Sequence, residues 1–113
     1  MFKLLLEKMG ILKIPDGKRV KYWSNGNIST LKNYKNNKLN GVSLEYFING
    51  QLMTEKFYIN GKLEGEVFMF YRNGQLRVKA TFRNGKNEGE SILYKEDGRI
   101  DEVITYKNGK EEK

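Results

Sequence analysis

The chain has no cysteine and no histidine among its 113 residues. Disulfides and thiolate metal sites are thereby excluded. The commonest general base, proton shuttle and zinc ligand is missing too. Long hydrophobic runs are also lacking. In Met1–Leu12 the apolar run breaks at Glu7 and Lys8, short of the roughly seven to fifteen residues of a secretory core. No small-x-small cleavage site follows, and nothing approaches the ~18 apolar residues of a membrane span. The expectation is a cytoplasmic protein in which residues 1–13 form a short helix or strand capping one end of the fold.

A hydrophobic fraction of 38% is low and a charged fraction of 31% is high, which argues for a thin or extended structure over a thick two-layer core. One Trp, seven Tyr and six Phe are too many aromatics for a disordered chain. Lysine and arginine number 21 against 14 acids, a net charge of +7. The excess is uneven: residues 1–59 hold ten basic and four acidic residues, residues 60–113 eleven and ten. A basic first half favours phosphates, anionic lipid or an acidic partner.

One proline stands against twelve glycines, and the glycines are periodic. Gly17, Gly41, Gly65 and Gly89 recur every 24 residues, as do Gly26, Gly50, Gly74 and Gly98. A third column holds Asn37, Gly61, Gly85 and Gly109. Four units follow, 14–37, 38–61, 62–85 and 86–109, within a repeat domain spanning 14–113. Aromatics keep register at Tyr22, Tyr46, Phe70 and Tyr94, and again at Tyr34, Tyr58, Phe82 and Tyr106. Asn-Gly occupies 25–26, 49–50, 60–61, 73–74, 84–85 and 108–109, with Asn36-Asn37 and Asp97-Gly98 in the two equivalent places. Asn-Gly between alternating segments signals a two-residue type I′ hairpin, because both central residues need positive φ. The spacing predicts an all-β, elongated, single-layer antiparallel meander of about eight strands, each about nine to eleven residues long.

Two-residue loops set Gly17 opposite Tyr34, Gly41 opposite Tyr58, Gly65 opposite Phe82 and Gly89 opposite Tyr106. Each mid-strand glycine is then expected to lie under an aromatic ring that repairs its missing side chain. These eight residues read as architecture. The segments YFINGQL, YINGKLEG, YRNGQL and FRNGKNEG resemble the bacterial variant of MORN repeats, strings of Tyr-x-x-Asn-Gly-Lys-Leu. The resemblance covers residues 14–110. It implies a twisted sheet growing by hairpins, and in some bacterial members an antitoxin-like or immunity role against a toxin. The first unit departs most, with Asn37 for a glycine and Pro15-Asp16 for Lys-Leu, as terminal repeats do.

No catalytic, cofactor or metal site is expected. The serines lie in no nucleophile motif, and the glycines follow asparagine in hairpins, where a phosphate cradle would open a helix. Glu64 with Glu66 and Glu88 with Glu90 flank repeat glycines and read as solvated edges. Lys38, Lys62, Lys86 and Lys110 read as solubilising edge charge. Both strand faces carry apolar residues that one sheet cannot bury; in the third unit Val67, Met69, Tyr71, Leu76, Val78, Ala80 and Phe82 are expected on one face. Candidates for a protein partner cluster in units two and three: Phe47, Met53, Phe57, Phe68, Met69, Phe70 and Tyr71. Candidates for an anionic surface lie in the first unit: Lys18, Arg19, Lys21, Lys32 and Lys35. The leading expectation is a non-enzymatic protein-interaction module, with self-association as one form of it. Peripheral binding to anionic phospholipid comes second, a role the MORN resemblance also implies, and nucleic-acid binding third.

Overall fold

A computed structural model describes residues 15–112; the N-terminal segment expected to cap the fold lies outside them. Among the described residues there is no helix. Unit one gives β1 (Gly17–Tyr22) and β2 (Ile28–Lys35); unit two gives β3 (Lys38–Leu39), β4 (Gly41–Tyr46) and β5 (Leu52–Ile59). Unit three gives β6 (Lys62–Leu63), β7 (Gly65–Phe70) and β8 (Leu76–Arg83), and unit four β9 (Lys86–Asn87), β10 (Gly89–Tyr94) and β11 (Ile100–Lys107). Two further residues, β12 (Lys110–Glu111), start the pattern again. The long strands pair with their sequence neighbours in one open antiparallel sheet, ordered β1-β2-β4-β5-β7-β8-β10-β11-β12. The molecule is thin, 47 × 37 × 22 Å, with a radius of gyration of 16.5 Å against about 13 Å for a compact chain of this length.

The eight turns are of two kinds, which the shared Asn-Gly dipeptide hides. At Asn36-Asn37, Asn60-Gly61, Asn84-Gly85 and Asn108-Gly109 both residues have positive φ, 49–55° at the first position and 65–83° at the second. These are the two-residue type I′ turns expected. At the other four places only the glycine is left-handed, with φ of 90–93°. There Gly74 donates to the Tyr71 carbonyl at 2.9 Å and Tyr71 donates to that of Gln75 at 2.8 Å. The loop thus has three residues, a type I turn closed by a left-handed glycine. The asparagine serves by its side chain: Asn73 Oδ1 accepts the Gln75 amide at 3.0 Å, and Asn25, Asn49 and Asp97 do the same in their units.

The longer loop slips the pairing by one residue, and a β-bulge slips it back. Phe70 faces Leu76, whereas Met69 faces Val78, so Arg77 is the unpaired residue. Ser29, Met53 and Asp101 are its equivalents. Beyond the bulge the partners are Gly17 with Tyr34, Gly41 with Tyr58, Gly65 with Phe82 and Gly89 with Tyr106. Near the turn the bulge moves Leu76 to the face opposite Val67 and beside Phe70, correcting its expected place.

The reason for the mid-strand glycines is the backbone. Their φ angles are +110°, +107°, +85° and +79° in order, a region that costs an L side chain roughly 1–2 kcal/mol. A Cβ placed on Gly17, Gly65 or Gly89 would meet nothing within 4 Å, so no ring covers them as the aromatic-repair argument requires. In units two, three and four the left-handed glycine breaks the nine-residue strand in two at the residue before it. The residue before the glycine, Asp16, Asn40, Glu64 or Glu88, turns back and accepts the amide of the asparagine opening the unit's type I′ turn, at 2.7–2.9 Å. Glu64 and Glu88 are half-buried structural acceptors, and the paired-carboxylate edge dissolves: Glu66 instead lies 3.5 Å from Lys79.

Candidate functional site

With one layer there is almost no core among the described residues, where Val67 and Ala80 are the buried apolar side chains. Ser43, Thr54 and Ser91 are the buried polar ones. By alternation and register all five lie on one face. In a single layer, burial can come only from neighbours leaning over, so the sheet curls toward this inner face.

Two rows of side chains cross the inner face, and each changes character along the molecule. Arg19 pairs with Lys32 and Ser43 with Lys56 in units one and two; in the same row Val67 pairs with Ala80 and Ser91 with Ile104. The second row runs from Lys21–Thr30 and Glu45–Thr54 to Met69–Val78 and Leu93–Glu102. Small residues at 80 and 91 leave room, and the larger ones around them enclose a groove of about 370 Å³. Its walls include Leu63, Met69, Val78, Phe82, Leu93 and Tyr106, and Lys56 stands at its end toward unit two.

The outer face carries an apolar stripe beside the bulges. Tyr22–Ile28, Tyr46–Leu52, Phe70–Leu76 and Tyr94–Ile100 are its register pairs. Here Val42 is 41% and Phe57 42% exposed, and these two also pair.

The seven partner candidates therefore do not form one surface. Met69 lies in the inner groove, Phe57, Phe68 and Phe70 lie on the outer face, and Met53 is a bulge residue. Phe47 and Tyr71 belong to a ladder joining successive turns. The Tyr71 hydroxyl donates to the Tyr94 carbonyl at 2.7 Å and Trp23 Nε1 to that of Tyr46 at 3.2 Å. The guanidinium of Arg72 sits 5.7 Å from the Phe47 ring and that of Arg77 6.0 Å from Tyr71. The anion candidates divide too: Arg19, Lys21 and Lys32 share the inner face, while Lys18 and Lys35 fall on the outer one. Lys56 joins the inner group, and the register alone could have placed it there.

Along the type I′ edge, Lys38, Lys62 and Lys86 lay their stems over the turn glycine that closes their own unit. A Cβ on Gly61 or Gly109 would stand 3.7 Å from Lys38 Cβ or 3.4 Å from Lys86 Cβ. The lysine column thus packs as well as solubilises. Among carboxylates, Asp97 is held below the usual range chiefly by the Arg99 amide, against an opposing desolvation, with further lowering by the Arg99 guanidinium at 2.7 Å and by Lys95. No group of three or more His, Cys, Asp or Glu able to hold a metal occurs among the described residues. No helix among them is long and apolar enough to cross a membrane.

A curled single-layer sheet grown by 24-residue hairpin units, with its side-chain chemistry arrayed in rows, defines a β-repeat protein. The chain belongs to the MORN repeat variant family, whose model matches four times, at residues 15–36, 39–60, 63–84 and 87–108. No curated protein matches it.

Proposed function

We propose that the chain is a non-catalytic protein-binding module that takes its partner in the inner-face groove of units three and four. The observation that carries this reading is the groove itself, an apolar concavity of about 370 Å³ floored by Val67 and Ala80. A concave apolar surface lets a ligand touch floor and walls together, whereas the outer stripe offers one flat contact. Met69, Val78 and Leu93 are the anchors, and their half-buried state leaves surface for a partner to cover. A cytoplasmic setting belongs to the proposal, and a toxin neutralised by an antitoxin-like surface is the particular case that the family resemblance suggests.

The test is to recover a partner by co-purification from the source cells and measure its affinity for variants on each face. Met69→Gln with Leu93→Gln should weaken binding at least tenfold, while Phe57→Gln on the outer face should leave it within about twofold. The reverse pattern would move the site to the outer stripe. Loss of binding only in Lys18→Ala/Lys35→Ala, with steep salt sensitivity, would favour an anionic surface instead.

A further inference from the structure

The inner face carries a charge arrangement that its own folding does not explain. Arg19 and Lys32 are direct register partners, and like charges facing each other across two strands destabilise the pair. Lys21 stands two residues from Arg19 on the same face. Among the described residues none of these three takes part in an ion pair; the contact Arg19 makes is with the Tyr34 ring, 5.9 Å away. In the same row Lys56, 4.0 Å from Glu45, reaches the end of the apolar groove. Cations and groove thus adjoin in a strip on the inner face, the cations over units one and two with Glu45 beside Lys56, and the apolar groove over units three and four with Glu102 at its far side.

We infer that this strip binds a polypeptide segment that is acidic along one half and apolar along the other, lying across the strands with its acidic half over Arg19, Lys21 and Lys32. The inference rests on the groove reading above and adds the chemistry and polarity of the partner. Charge complementarity carries it: an acidic segment would relieve the Arg19–Lys32 repulsion, a gain available only in the complex. The length fits as well. Eight long strands at about 4.8 Å spacing span about 34 Å, the reach of about ten extended residues. Orientation follows from the asymmetry, because reversing the segment would set carboxylates over Val67 and Ala80 and leave the cations facing apolar side chains.

The experiment uses the full chain and a synthetic fluorescent peptide of about ten residues, glutamate-rich in its first half and alternating leucine and serine in its second. Companion peptides carry lysine in place of glutamate, or serine in place of leucine. Anisotropy titrations should show the acid-headed peptide binding at least tenfold tighter than either companion. The double variant Arg19→Glu/Lys32→Glu should exchange that preference, taking the lysine-headed peptide in its place. Such a swap cannot come from unfolding, and a thermal melt checks each variant. Equal binding of acid- and lysine-headed peptides, unmoved by the charge reversal but lost in Met69→Gln/Leu93→Gln, would overturn the inference and keep the groove. Binding insensitive to the groove variants would overturn the groove reading itself. No binding by any peptide, or capture by phosphatidylserine vesicles abolished by the charge reversal alone, would also overturn the inference, the latter in favour of a membrane surface.

Discussion

At the scale of single residues, three kinds of side chain with similar sequence signatures act by different physics. Gly65 is required by its φ of +85° and has open space where a Cβ would stand. Gly65→Val should therefore cost about 1–2 kcal/mol in urea unfolding, and Gly65→Asn distinctly less, since asparagine tolerates left-handed backbone. Equal costs would point to space instead of backbone as the cause. Glu64 works as an acceptor for the Asn84 amide at 2.7 Å. Glu64→Ala should cost about 0.5–1.5 kcal/mol and Glu64→Gln clearly less, because neutral Asn40 does the same task at 2.9 Å in unit two. Asp97 adds a pH term. Its folded pKa is depressed, so its contribution is present above the unfolded value near 3.9 and is lost as pH falls through the folded one. Asp97→Asn keeps the turn acceptor that three other units use but lacks the charge, and should flatten the acid limb of the stability–pH curve by lowering stability slightly at neutral pH while leaving the acid end in place.

At the scale of elements, the sequence made the strand positions and the glycine–aromatic register legible, because both depend only on the 24-residue spacing. It did not disclose that Asn-Gly builds two kinds of turn. The dipeptide supplies a left-handed glycine to both, and the side-chain acceptor of Asn73 becomes visible only beside the Gln75 amide. The extra loop residue and the bulge cancel in the register, so the pairing beyond the bulge is the same as for a two-residue turn. What changes is the face of the residues between them, which is why Leu76 was expected with Val67 and lies with Phe70. The bulge is therefore a positioning device. Deleting Arg77 should remove the bulge and leave Val78 facing Met69, so cooperative thermal unfolding should survive, whereas deleting Lys79 should turn Ala80 and Phe82 outward and abolish it. Arg77→Ala should cost no more than about 0.5–1 kcal/mol, the worth of its exposed contact with Tyr71. A tolerated Lys79 deletion would mean that the register is set elsewhere.

At the scale of the whole molecule, a sheet with two buried apolar residues among those described holds together by neighbour-on-neighbour contacts, as repeat arrays do. The side-chain contacts run one unit along, Trp23 to the Tyr46 carbonyl and Tyr71 to that of Tyr94, while the Gly85 amide ties the end of its own unit back to the Leu63 carbonyl at 2.9 Å. Composition foretold this thinness, since too little of the chain is apolar to fill a second layer. The candidate surface was harder to read. Aromatic and methionine content drew attention to units two and three, but richness in such residues does not say which face each one joins, and curvature decides which face becomes a groove. Tyr71 shows the difficulty: a large aromatic in the richest segment, and yet its hydroxyl is committed to the next unit. The central claim is that the inner face, basic at one end and apolar at the other, is where this molecule meets its partner. Methyl-labelled NMR with the acid-headed peptide tests it directly. The account predicts that methyl resonances of Val67, Met69, Val78, Ala80 and Leu93 shift on titration while those of Leu44, Leu52, Leu76 and Ile92 on the outer face stay in place. Shifts confined to the outer set would contradict it.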